Sequence, residues 1–212
     1  MEPIIERVYI DVLQGHHKEV MGEVKAALEA GFQPTTIMND GMIAAMQEVG
    51  RLFEAGEYYV PEMLVAARAM QAGMNVLKPH LADTEAHPAG KVAIGTVEGD
   101  IHDIGKNLVK MMLEGAGFEV IDLGVDVSPS TFLAAVSNDH VDILAMSALI
   151  TTTMQQMPPV IDLLKNSGYR QQVKILVGGA PLSEEYARQI GADGYAPDAS
   201  RAVSMAKSLL SR

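Results

Sequence analysis

Apolar positions along the chain change period once. Up to about His80 they recur at helical spacing: Met42, Met46, Val49 and Phe53 step by 4, 3 and 4, and Met63, Ala67, Met70, Met74 and Leu77 by 4, 3, 4 and 3. One buried face of a 3.6-residue helix produces that rhythm. Upstream, residues 3–13 and 17–30 read as two shorter helices with breaks near Gly15 and Gly31. Pro61 stands where a first helical turn accepts it. Four helices with short connections predict an N-terminal four-helix bundle.

From Lys91 onward short apolar runs alternate with helix-like segments. Strands are expected at 91–97 (KVAIGTV), 118–124 (FEVIDLG), 141–147 (VDILAMS), 173–179 (VKILVGG) and, more weakly, 194–197 (GYAP). Near-continuous apolar strands separated by amphipathic helices predict an α/β, doubly wound, five-stranded parallel sheet of flavodoxin-like order. Ligands of such sheets sit outside the carboxyl ends of the strands. Between the two patterns, residues 81–90 (LADTEAHPAG) hold Pro, Gly and small polar residues and read as a linker, with His87 exposed in it. The expected domains are therefore 1–88, helical, and 89–212, α/β.

Composition narrows the function. Acidic residues number 27 against 16 basic ones, a formal charge of -11, and no Lys/Arg cluster occurs. A phosphate-backbone binder carries a basic footprint, so nucleic acid is not an expected partner. Apolar runs such as Ile143 to Met146 fall far short of a membrane span. Glu2 and Glu6 stand where a secretory signal would be positive. Cysteine is absent, which removes disulfides, thiolate nucleophiles and Cys-built zinc or iron–sulfur sites. A cytoplasmic protein without a membrane partner is expected.

The chemistry gathers at the strand ends. The first strand runs into Glu98-Gly99-Asp100-Ile101-His102-Asp103-Ile104-Gly105, followed by a helix. This loop lacks GxGxxG spacing, and its acidic residues repel phosphate. They suit a histidine held by a carboxylate, one ring nitrogen oriented by Asp and the other free to ligate a metal or move a proton. A histidine in an acidic loop is also a common surface group; the position of His102 at a strand end, before a helix, favours the ligand crevice. The third strand ends at Ser147-Ala148-Leu149, followed by Ile150, Thr151, Thr152 and Thr153. Capping of the next helix uses one hydroxyl and leaves the others to the polar edge of a large ligand. No G-x-S-x-G turn surrounds Ser147, which argues against a hydrolase nucleophile. Gly178-Gly179 after the fourth strand fits either a tight turn or the close passage of a ligand. More than half of the 14 methionines precede residue 81, at helical spacing that reads as core packing.

The joint spacing is distinctive: Asp100-x-His102-x-x-Gly105, 41 residues, Ser147-x-Leu149, 28 residues, Gly178-Gly179. It resembles the DxHxxG…SxL…GG signature of base-off, His-on cobalamin-binding domains, including the cobalamin-binding module of methionine synthase. The stretch 46–74 (MQEVGRLFEAGEYYVPEMLVAARAMQAGM) resembles the helical cap of such modules. Together the resemblance covers nearly the whole chain, and points to the small corrinoid proteins of methyltransferase systems for methylamines, methanol, betaines or methoxy-aromatic substrates, the methylamine type above all.

That resemblance implies a cobalamin or related corrinoid, with His102 as the lower axial cobalt ligand in place of the cofactor's own base. Asp100 would accept a hydrogen bond from the other ring nitrogen, and Ser147 would bond to Asp100. Gly105, Leu149, Gly178 and Gly179 would line the channel for the displaced nucleotide tail, with Asp103, Ile104 and Thr151 also in contact with the cofactor. The helical half would cover the upper corrin face through Met46, Phe53, Tyr58 and Tyr59. The implied function is a methyl carrier, not catalytic alone, with methylcobalamin as its intermediate. A substrate-specific methyltransferase would load Co(I), a second methyltransferase would pass the methyl group to a thiol or tetrahydropterin, and a reductive activation protein would restore Co(I). Competing readings are a cobalamin-dependent sensor, disfavoured by the lack of tryptophan and of a basic domain, and an adenosylcobalamin mutase small subunit, which generally lacks the helical cap.

Overall fold

The computed structural model describes residues 2–81 and 88–211. Most of the expected linker, His87 included, lies outside the described residues. The chain divides into two compact units, Met1–His87 with Gly115–Gly117, and Pro88–Glu114 with Phe118–Arg212.

In the first unit, helices span Pro3–Gln14 and His17–Glu29. Gly15 ends the first of them in a left-handed conformation, φ 77°, that closes the last carbonyls. A third helical stretch runs without a break through Pro34–Thr36, a π-helical segment Ile37–Ile43, and Ala44–Glu54. The period from Met42 to Phe53 marks its second half; its start is hidden because the wider π turn shifts the phase of the buried positions. The fourth helix, Val60–Leu81, has Pro61 in its first turn and continues past His80, with Pro79 tolerated near its end. Val8, Val20, Val24, Met42, Met46, Met63 and Leu77 are buried between these helices.

In the second unit, strands β1 (Lys91–Val97), β2 (Glu119–Val127), β3 (Ile143–Ser147), β4 (Lys174–Gly178) and β5 (Gly194–Ala196) form one parallel sheet in the order β2-β1-β3-β4-β5. The chain steps one way from β1 to β2 and the other way from β3 onward. Right-handed crossovers then place helices on opposite faces of the sheet. On one face Phe132, Val136, Val160, Ile161 and Ala187 pack with Ala93, Leu144, Met146 and Val177. The helices Ile104–Gly115 and Ala199–Leu210 belong to the other face. The reversal of direction lies between β1 and β3, where a doubly wound sheet opens a crevice.

No helix among the described residues is long and apolar enough to cross a membrane.

Candidate functional site

His102 sits just beyond the carboxyl end of β1, in a loop whose shape its own side chains hold. Thr96, fully buried in β1, donates its hydroxyl to the His102 carbonyl oxygen at 3.1 Å. Asp100 is fully buried, and four donors converge on its carboxylate. Oδ1 accepts from the His102 backbone N–H at 3.0 Å and faces His102 Nδ1 at 2.7 Å. Oδ2 accepts from Leu149 N–H at 2.8 Å and Thr153 Oγ1 at 2.6 Å. Burial alone would push this carboxyl up. The donors from Thr153, Leu149 and His102 outweigh it and hold Asp100 well below the usual carboxylate range.

The tautomer of His102 follows. An ionised carboxylate can only accept, so Nδ1 carries the hydrogen and the neutral ring keeps its lone pair on Nε2. That nitrogen has no protein partner among the described residues, and the side chain is 51% exposed. The ring is held by Asp100 on one side and exposed on the other. Among the described residues no cluster of three His, Cys, Asp or Glu side chains could hold an ion unaided. A single imidazole of this kind suits a metal that arrives with its other ligands already in place.

Beside His102 opens a cavity of about 590 Å3. Ile94, Ala145 and Leu176 from β1, β3 and β4 form its floor, and Val109 and Ala202 from the two helices on that face contribute to its walls. The lining is mainly apolar, and the volume lies in the range of small-molecule sites. Two glycines shape it for different reasons. Gly179 has φ 132°, and a β-carbon there would collide with the Ala148 carbonyl oxygen. A β-carbon on Gly105 would meet nothing within 4 Å, so its bareness keeps space open rather than relieving a contact.

His102, Asp103, Ile104, Gly105, Ser147, Leu149, Gly178 and Gly179 all line the cavity, as their positions at the strand ends predict. Asp100 lies behind His102. Thr151 is exposed and does not line the cavity. The hydrogen bond expected from Ser147 to Asp100 is made by Thr153 instead. Ser147 pairs with Thr96 in the ladder and shares a strand face with Ala145, on the cavity side. The turn after β3 carries residue 153 back over Asp100. Of the residues matched to a cap, Met46 is buried in the helical unit, Phe53 and Tyr58 are half-buried, and Tyr59 is 66% exposed. Tyr58 donates its hydroxyl to the Leu13 carbonyl oxygen.

Two features escape a reading by motif. The first is Ile101, at 75% exposure, and Ile150, which add exposed apolar surface to the expected Ile104, at 82%, and Leu149. Apolar residues inside an otherwise polar loop were the available signal. Lys106, buried in the first turn of the following helix, pairs with Asp122 of β2 at 2.6 Å, and Lys110 reaches the other oxygen at 3.2 Å. Although burial pushes the Asp122 carboxyl up, these lysines and the Gly124 N–H lower it overall.

The site thus combines a fixed histidine with an apolar cavity at the carboxyl ends of a flavodoxin-like sheet. Residues 90–204 match the model of the B12 binding domain, and residues 4–78 match a second model of the same description. The dimethylamine corrinoid protein 2 of Methanosarcina acetivorans is 43% identical over 210 residues, covering 99% of this chain and 97% of that protein. The trimethylamine corrinoid protein 1 of the same organism is 44% identical over 203 residues, covering 94% of each. Among solved structures, the methanol:cobalamin methyltransferase complex of Methanosarcina barkeri aligns with a TM-score of 0.88 at 31% identity, over 98% of this chain and 80% of that one. The chain belongs to the family of corrinoid proteins built on the B12 binding domain.

The residues present fit that group. Asp100 holds the imidazole with Nε2 free, Ile101 and Ile104 are exposed in the same loop, and the adjoining cavity is apolar with open space at Gly105.

Proposed function

We propose that this chain carries a methyl group on the cobalt of a corrinoid bound base-off, with His102 as lower axial ligand, in a methylamine-dependent methyltransferase system. The observation that carries the reading is the mount of His102: Nδ1 fixed on a buried carboxylate, Nε2 free at a cavity rim. When bound, the corrinoid supplies a cobalt centre that accepts a methyl group in its reduced state and releases it to a second acceptor.

The chain's own residues provide the setting. His102 Nε2 would offer its lone pair to the metal. Asp100 stays ionised and keeps the ring oriented, while Thr153 and Leu149 keep the carboxylate oriented. Ile101, Ile104 and Leu149 offer exposed apolar surface beside the imidazole for a bound corrinoid to cover. The cavity takes the displaced nucleotide tail, with Ser147, Gly105, Gly178 and Gly179 along its course. The relatives named for dimethylamine and trimethylamine support a methylated amine as donor. A substrate-specific methyltransferase loads the carrier. A second one unloads it to a thiol or tetrahydropterin, and a reductive activation protein rescues oxidised cobalt.

Electron paramagnetic resonance of the Co(II)-loaded protein tests the ligation. Splitting from a protein histidine nitrogen is expected, and it should vanish in His102→Ala. An axial nitrogen that still comes from the cofactor's own base overturns the assignment.

A further inference from the structure

The carboxyl end of β2 takes no part in the cavity wall, yet its backbone departs from a regular strand twice. Opposite β1 the register runs Ile94 to Asp122, Gly95 to Gly124 and Val97 to Val127, so β2 carries two extra residues over this stretch. Each bulge holds a left-handed residue, Gly124 at φ 87° and Asp126 at φ 53°. Glycine accepts that region freely. A side-chain-bearing residue is uncommon there, although aspartate is among those that tolerate it best. Bulges re-aim backbone and side chain away from the ladder, and here the target is plain. The Asp126 N–H donates to the Asp100 carbonyl oxygen at 2.9 Å, and Asp126 Oδ1 accepts from the Gly99 N–H at 2.7 Å. One residue of β2 grips two consecutive residues of the loop that delivers His102.

We propose that Asp126 is a positioning residue for His102: its bulged backbone and carboxylate clasp Gly99 and Asp100 and so fix where the imidazole is held. The four donors on the Asp100 carboxylate orient that side chain, but they do not hold the loop backbone at Gly99. Asp126 does, from the neighbouring strand, without itself lining the cavity. The proposal rests on the assignment of His102 as axial ligand.

The test uses the full chain as wild type, Asp126→Asn, Asp126→Gly and His102→Ala, each loaded with cob(II)alamin. Asparagine tolerates the left-handed backbone and keeps an acceptor for the Gly99 N–H. Glycine relaxes the backbone but removes the acceptor, so a loss in that variant cannot come from strain. The fraction of Co(II) with protein-nitrogen splitting reports histidine ligation. Asp126→Gly should weaken ligation about 10-fold, within the range of lost outer-shell support, and Asp126→Asn should stay with the wild type. An Asp126→Gly protein that ligates like the wild type, or an Asp126→Asn protein that falls as far as Asp126→Gly, overturns the clasp. If the wild type itself lacks the splitting, the axial-ligand assignment fails separately. The clasp is then judged in cofactor-free protein from the ring 15N shifts of His102. These should move in Asp126→Gly and hold in Asp126→Asn; unmoved shifts in Asp126→Gly overturn it.

Discussion

The helical unit is held by apolar side chains such as Val8, Val20, Met42, Met63 and Leu77, whereas the polar side chains buried among the described residues, Thr96, Asp100, Lys106, Thr153 and Ser200, all belong to the α/β unit. Three of those five, Thr96, Asp100 and Thr153, meet at the loop of His102. Apolar cores tolerate exchange when volume and pattern are kept. A buried polar network does not, because each member leaves another unsatisfied when it goes. Mutation in the helical unit should therefore cost stability and leave ligation intact, whereas mutation in the polar network should reach ligation as well as stability.

The largest effect on folding is expected in the helical unit. Met63→Ala should cost about 2–5 kcal/mol, as truncation of a fully buried side chain does, measured by urea unfolding. The corrinoid spectrum of the folded fraction should stay unchanged; a shifted axial ligand there would break the separation. Asp100→Asn is the converse. It keeps the size of the side chain but puts an amide among four donors, and should lower cobalt ligation or methyl transfer by about 10–100-fold, with the far-UV dichroism of the helices intact.

Acid gives a graded version of that substitution. The folded-state pKa of Asp100 is depressed, so its stabilisation is fully present above the ordinary carboxylate value near 4. It is lost as pH falls from there through the folded pKa. The stability gap between wild type and Asp100→Asn should hold between pH 7 and 5 and narrow below about pH 4, read from urea midpoints. A gap that widens in acid would contradict the ionised carboxylate.

The smallest effects sharpen the comparison within one turn of chain. Thr153→Val removes one of the four donors and should cost about 1 kcal/mol of stability, with Thr153→Ser close to wild type. Thr151→Ala, two residues away and exposed, should stay within about 0.5 kcal/mol and bind corrinoid normally. Equal losses at 151 and 153 would mean that the hydroxyls act on the ligand rather than on Asp100.

What could be read from the sequence follows the same division. The period of apolar residues locates the four helical stretches and all five strands, because burial of one face leaves a repeating trace. It misses the start of the third stretch, residues 34–41, where the π turn breaks the phase, and the last three residues of β2, whose bulges break alternation. Spacing of His102, Gly105, Ser147, Leu149, Gly178 and Gly179 identifies residues of the cavity wall, with Asp100 behind it. It does not identify which hydroxyl supports Asp100. Ser147 ends β3 and Thr153 lies in the turn after it, and only the path of that turn chooses between them. Asp126 leaves no trace at all, since a left-handed aspartate looks like any acidic residue near the end of a strand.

The two glycines at the cavity imply different histories of constraint. At Gly179 the neighbouring carbonyl forbids any side chain, so a population selected only to fold would still keep glycine there. Gly105 lies in the first turn of a helix and faces open space, where alanine would strengthen the helix by about 0.5–1 kcal/mol. A lineage that lost its cofactor should therefore drift away from glycine at 105 long before it does so at 179. The residue at 105 would then date the loss of the ligand, while 179 would record only that the protein still folds.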